Sequence, residues 1–413
     1  VHPSSDEADA RNVEDATNHH HPGRCRERCV MATHDMKAYI YYGPSSWFKA
    51  ETAGLEAESL LHIVYERDNL NRQFSIVDKR TSSPSETEPE NVEEGPEHVL
   101  AESGDYASLT EATISNFAGL VRSIGPKNIY LNNPPELVRS HLERVAEVEE
   151  VSYELGSFDA QVLQEFNADF QDHLVGQDSV KSELLAAMYQ LTRQNVDGPV
   201  VVMFYGPSGV GKTETAKFIS RLTGGLLFRK QFSMLHSEKF ASYVFGGSHQ
   251  EPSLALDLME RESSVILFDE FDKASSVFHS AFYELFDEGV LEDKNYRVEV
   301  GRPLIICTSN YGSESAVKKA LGEALYSRFD AFIEFHPLSG FEVEKIIDRL
   351  VDVKFKELTH KEASILNADE LKINLKSHSK QLGNIRKLSS VIDQIIGHKL
   401  AMALLETAES MNP

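Results

Sequence analysis

At 413 residues the chain exceeds one typical domain and is long enough for two or three, each with a real core. Its 41 Lys and Arg stand against 65 Asp and Glu, a formal net charge of −24, which disfavours nucleic-acid backbone binding as the main activity. Three cysteines, Cys25, Cys29 and Cys307, make no disulfide framework and fit a reducing, cytoplasmic setting, and no apolar run approaches the roughly 18 residues of a membrane span.

Residues 1–35 are polar and include His19, His20 and His21, but their spacing from Cys25 and Cys29 matches no standard zinc pattern, so a disordered leader is expected. Short β-branched and aromatic runs at 38–42, 61–65 and 74–77 predict strands. An acidic loop is expected near 81–100, because residues 81–97 hold three prolines and six glutamates with almost nothing to bury. Ser108-Leu109-Thr110-Glu111 reads as a capping box, and Ile114, Phe117, Leu120 and Val121 repeat at helical spacing behind it. A strand at 128–131, a helix at 136–145 and a strand at 148–153 complete a small α/β domain over 36–155. No catalytic constellation lies in it, and by elimination it reads as a recognition or regulatory module.

The second block is expected to split into a large α/β part over 160–337 and a helical lid over 338–413. Strands are predicted near 226–229, 265–268, 304–308 and 331–335, which implies a mostly parallel sheet covered on both faces. In the lid, Val343, Ile346, Ile347, Leu350 and Val351 share one helical face, and Leu388, Ile392, Ile395 and Ile396 share another.

The densest chemical signal follows an apolar run beginning at Val200. Gly206-Pro207-Ser208-Gly209-Val210-Gly211-Lys212-Thr213 is G-x-x-x-x-G-K-[ST], with a buried-type strand before it and a helix after it. Glycines let backbone N–H groups turn inward around phosphate oxygens, Lys212 reaches the terminal phosphates, and the Thr213 hydroxyl can sit on Mg²⁺. Taken alone, this loop admits ATP or GTP. Some sixty residues on, a buried strand ends in Asp269-Glu270, neighbours that point in different directions: Asp269 suits the Mg²⁺ shell and Glu270 suits the activation of water. Taken alone, Asn310 reads as a turn residue ahead of Tyr311-Gly312, and Arg328 as a surface ion-pair partner.

These motifs, with Thr308-Ser309-Asn310, Ser327-Arg328-Phe329-Asp330 and Gly383-Asn384-Ile385-Arg386, resemble in their order an AAA+ ATPase of the Clp type. The similarity spans about 170–405 and is greatest to the second ATPase ring of the Clp disaggregases. It implies an AAA+ P-loop parallel sheet with a helical lid, binding ATP and Mg²⁺. It further implies that Leu174 and Val175 line the adenine pocket, that Asn310 orients water, that Arg328 is an arginine finger donated in trans, and that Arg386 is the lid sensor. The Gly-Asn-Ile-Arg spelling at Arg386 departs from the Gly-Ala-Arg usual in the Clp subgroup. A trans finger implies a homo-oligomeric, hexameric ring. The family's central-pore loop corresponds to Ser242–Gly247, which makes Tyr243 and Val244 the candidates to grip a protein substrate, against an ordinary buried aromatic. Only seventeen residues separate Asn310 from Arg328, too few for a peptidase-docking loop, so no peptidase partner is expected. The resulting expectation is an ATP-hydrolysing remodeller of proteins; the alternative is a nucleotide-dependent switch or scaffold that threads nothing.

Overall fold

The computed structural model describes residues 36–74, 95–193, 195, 197–234, 237–378 and 385–410. The leader expected over 1–35 and most of the acidic loop lie outside these residues. The loop's expected end at 100 is too late, because β3 already begins at His98.

Five parallel strands form the first sheet: β1 (Lys37–Tyr42), β2 (Glu58–Ser59), β3 (His98–Ala101), β4 (Asn128–Asn132) and β5 (Glu147–Ser152), in the order β2-β3-β4-β1-β5. Ala38, Ile40, Val99, Ala101, Ile129 and Leu131 are fully buried at alternate positions, and all of these but Ile40 share one core with Phe117, Val121, Val138 and Leu142 from the covering helices. The strand expected at 61–65 is instead part of the helix Leu60–Phe74. Leu60 and Ile63 are buried and Val64 half-buried, a three-to-four-residue spacing that a local β-branched run concealed. Phe74 ends that helix, and 75–77 lie outside the described residues. The cap expected at Ser108 falls two residues later: the Thr110 hydroxyl accepts from the Thr113 N–H and opens the helix Glu111–Ser115, while Ser108 ends a 3₁₀ turn.

The second sheet is also parallel. Its strands β6 (Val200–Tyr205), β7 (Phe228–Gln231), β8 (Val265–Asp269), β11 (Leu304–Thr308) and β12 (Ala331–Glu334) run in the order β12-β6-β11-β8-β7, with a hairpin of β9 (Val290–Glu292) and β10 (Arg297–Glu299) beside them. Every residue of β6, β8 and β11 is buried. Strict alternation divides them between two cores: Val201, Met203, Ile266, Phe268, Ile305 and Cys307 face one, whereas Val200, Val202, Phe204, Val265, Leu267, Leu304 and Ile306 face the other. The phosphate loop and both carboxylates are thereby placed at the carboxyl ends of β6 and β8, the two strands that flank β11.

The lid helices Gly340–Glu357, His360–Ile365, Ala368–Ser377 and Ile385–Ser410 pack around Val343, Ile347, Val351, Leu371, Leu388 and Ile392. A capping box between Ser339 and Glu342 starts the first of them. Contrary to the sequence expectation, the stretch Ile385–Leu405 has the length and a hydropathy of 1.2 sufficient by composition to cross a membrane. Its Leu388, Ile392 and Ile396 face the lid core instead.

The two sheets meet through polar contacts. The Glu260 carboxylate accepts from the Ser45 N–H (2.8 Å), the Ser45 hydroxyl (2.9 Å) and Asn133 Nδ2 (2.9 Å) at the carboxyl ends of β1 and β4. The Glu136 N–H donates to the Asn295 carbonyl at 2.8 Å, and His249 Nε2 lies 2.9 Å from the Leu109 carbonyl.

Candidate functional site

The phosphate loop joins β6 to the helix Lys212–Thr223. Gly206 has φ 129° and Gly211 φ 114°, a region L-residues avoid. A Cβ at Gly206 would meet the Phe335 carbonyl at 2.2 Å, so the chain just after β12 leaves space only for glycine. At Gly211 the nearest neighbour would be Leu174 Cδ1 at 3.2 Å, which places Leu174 directly behind the loop.

Lys212 is buried, and its ammonium donates to the Gly206 carbonyl (2.6 Å), the Pro207 carbonyl (2.8 Å) and Asn310 Oδ1 (3.2 Å). Burial pushes its pKa down to about 8; Asp269, Asp272 and Glu270 oppose the shift, and the charge of Arg386 adds to it. The lid arginine thus acts electrostatically on the loop lysine, and Asn310 touches it.

Asp269 is buried at the end of β8. Its Oδ1 accepts from Thr308 Oγ1 (2.6 Å); its Oδ2 accepts from Arg229 Nε (3.0 Å) and Nη2 (2.5 Å) and lies 3.4 Å from Thr213 Oγ1. Among the described residues no group of three or more His, Cys, Asp or Glu could hold a metal alone. A carboxylate beside a hydroxyl suits Mg²⁺, which takes one or two protein oxygens and completes its shell with phosphate and water. Glu270 adopts φ 55°, unusual for a residue with a side chain. Its N–H donates to Thr308 Oγ1 (2.9 Å) and its Oε2 accepts from Gln231 Nε2 (3.3 Å). Thr308 therefore fixes both acidic residues from β11, with Asp269 on one side of its hydroxyl and the Glu270 backbone on the other.

Arg229, Gln231 and Thr308 were not among the site residues expected from sequence. All three lie on the strands that flank β8, a signal available once β7 and β11 are recognised as its neighbours.

The remaining expected residues are more dispersed. Leu174 packs in the core under the phosphate loop, whereas Val175 packs against the lid core, so the pair spans the junction of sheet and lid. Arg328 lies beside the helix Glu323–Tyr326, where its Nε donates to Asp287 (2.9 Å) and its guanidinium stacks 4.2 Å above the Tyr283 ring. Of the lid motif, Arg386 is described, and 383–384 lie outside the described residues.

Tyr243 and Val244 do not occupy the exposed loop expected of them. They belong to the helix Ser237–Phe245, Val244 is buried, and the half-buried Tyr243 hydroxyl donates to Asp257 at 2.5 Å. Lys230 Nζ reaches the same carboxylate at 2.5 Å, and the Tyr243 ring packs on the core of the second sheet. The physical reason is that residues 237–245 have enough apolar positions, Phe240 and Val244 above all, to bury a helical face. The glycines and Ser248 that follow lead to His249, which is buried against Leu109 of the first sheet's core.

A family model described as AAA domain (Cdc48 subfamily) matches residues 198–361. Chaperone protein ClpB of Chlamydia trachomatis is 29% identical over 244 residues, which are 50% of this chain and 28% of that protein. AAA+ ATPase ClpV1 of Pseudomonas aeruginosa is 31% identical over 227 residues, 46% of this chain and 25% of that protein. The chain thus spans about a quarter of the length of these relatives. A solved structure, the closed state of Hsp104 with ATPγS and FITC casein, superposes with a TM-score of 0.52 at 16% identity, covering 90% of this chain and 89% of that one, a likeness of fold alone. With the phosphate loop, the acidic strand end and the lid arginine in one α/β framework, residues 198–361 match the AAA domain model, and the chain resembles the Clp-type AAA+ ATPases over about half of its length.

Proposed function

We propose that the protein hydrolyses ATP with Mg²⁺ in a homo-oligomeric, six-membered ring in the cytoplasm and uses the energy to remodel protein substrates. One observation carries this reading: Lys212, Thr213, Asp269, Glu270 and Asn310 converge at the carboxyl ends of β6, β8 and β11, joined by Lys212–Asn310 and Asp269–Thr308–Glu270 contacts. The Lys212 ammonium neutralises charge on the terminal phosphate, and the loop's N–H groups position it. Glu270, held by Thr308 and Gln231, accepts a proton from the attacking water. Mg²⁺, held by Thr213 and Asp269, would supply Lewis-acid stabilisation of the phosphate oxygens. Arg328 exchanges Asp287 for the phosphate of a neighbouring subunit, and Arg386 carries the state of the nucleotide into the lid. The α/β region over 36–155 selects the partner.

The switch reading, in which no polypeptide is threaded, is favoured by the helical seat of Tyr243 and the anchoring of His249 to the first sheet. The Glu270→Gln variant tests the common core: it should bind ATP and assemble while hydrolysing at least about a hundredfold more slowly. Wild-type turnover would remove Glu270 from its role. Stimulation of the wild-type ATPase by unfolded protein supports remodelling, and its complete absence supports the switch.

A further inference from the structure

Between the two sheets lies a cavity of about 320 Å³, within the range of small-molecule sites. Tyr42, Gly43, Ser152 and Tyr153 line it from the carboxyl ends of β1 and β5, and Met259 and Arg261 line it from the second sheet's side. Parallel sheets hold ligands at such strand ends.

The charged groups around this cavity are paired, with one exception. Arg139 contacts Glu136 (3.0 Å), Glu143 (3.1 Å) and Glu150 (2.7 Å), and Arg297 contacts Glu292 (3.4 Å) and Glu299 (3.3 Å). Arg261 is 9% exposed and has no carboxylate partner among the described residues. Its Nη1 and Nη2 donate to the Leu258 and Val300 carbonyls, each at 2.7 Å, and its buried Nε has no hydrogen-bond partner. The adjacent carboxylate, Glu260, is engaged with Ser45 and Asn133 instead. Two backbone carbonyls satisfy donors but do not balance a full buried charge. Burial alone pushes the Arg261 pKa down to about 10, in keeping with the lack of a nearby acid.

We propose that this inter-sheet cavity binds a small zwitterionic molecule, its carboxylate or phosphate paired with Arg261 and its ammonium facing the glutamates. A simple anion is a poorer fit, because Glu136, Glu150 and Glu299 share the lining. Since both sheets contribute walls, the ligand stabilises their docked arrangement.

The test is thermal unfolding of the full chain, saturated with Mg²⁺ and ADP so that the phosphate loop is occupied, against increasing γ-aminobutyrate or phosphoethanolamine. Native mass spectrometry of the purified protein is run in parallel. A saturable rise in Tm with either probe, or a co-purified zwitterion, is expected in the wild type. It should be lost both in Arg261→Gln, which removes the charge, and in Ser152→Phe, which fills the cavity and leaves the Arg261 carbonyl bonds intact. If Arg261→Gln does not fold, Ser152→Phe decides. An undiminished effect in the folded variants, or neither probe binding nor a co-purified molecule in the wild type, overturns the proposal.

Discussion

Lys212 offers a test of the phosphate site that does not depend on turnover. Its ammonium is buried, and its pKa falls from 10.5 to about 8 chiefly through burial. Because the folded value is the lower one, the unfolded chain binds more protons between these two pH values, and stability must rise with pH across that window. Below pH 8 the lysine is charged in both states and the full penalty is present; above 10.5 it is neutral in both and the penalty is gone. The interval corresponds to about 3 kcal/mol, at 1.36 kcal/mol for each pH unit. Urea unfolding of nucleotide-free wild type and Lys212→Met at several pH values isolates the effect, since other titrating groups contribute equally to both. The wild-type curve should gain about 3 kcal/mol on the variant's between pH 7 and 10.5. Saturating ATP should suppress most of that gain, because phosphate charge holds the ammonium protonated. Parallel curves for the two nucleotide-free proteins would refute the account of a lysine held in a desolvated site by three oxygen acceptors.

Three further outcomes follow from particular contacts. Tyr243→Phe removes one donor to Asp257 and should lower stability by about 1 kcal/mol in chemical denaturation while leaving ATPase unchanged; loss of protein remodelling at intact stability would return Tyr243 to a gripping role. Glu260→Ala leaves Ser45 and Asn133 without their acceptor, so limited proteolysis of the segment joining the two sheets should quicken at least about tenfold, and an unchanged rate would mean that other contacts suffice. Arg328→Ala should lower ATPase by about a thousandfold and regain activity when mixed with Glu270→Gln subunits, which can lend their finger to its intact site; failure of that rescue would place Arg328 outside a shared site.

The parts of the fold legible in the sequence are those whose burial and chemistry are local. Strands β6, β8 and β11 are apolar at every position because both faces are covered, and the phosphate loop carries its glycines where the backbone must reverse. The lid was legible too, since Val343, Ile346, Ile347 and Val351 repeat with the helical period that packs them. The helix Leu60–Phe74 was not, because LHIV reads locally as a strand and only the burial of Leu60 and Ile63 under the first sheet selects the helical period.

In the site itself, the positions missed or misplaced from the sequence have environments made by distant partners. Arg229 and Lys230 are adjacent on β7, yet one engages Asp269 and the other Asp257, and neither partner is identifiable from the local pattern. Tyr243 looked like a loop aromatic because glycines follow it, whereas Asp257 and the core of the second sheet decide its position. Asp257 lies on the helix Leu254–Met259, Glu260 at the end of that helix holds the first sheet, and Arg261 lines the cavity between the sheets. One short stretch of chain thus connects the residues that were expected to grip substrate with those that join the two sheets. A coupling of nucleotide to the contacts of Asp257 and Glu260 would therefore join a gripping role of Tyr243 to movement of the first sheet.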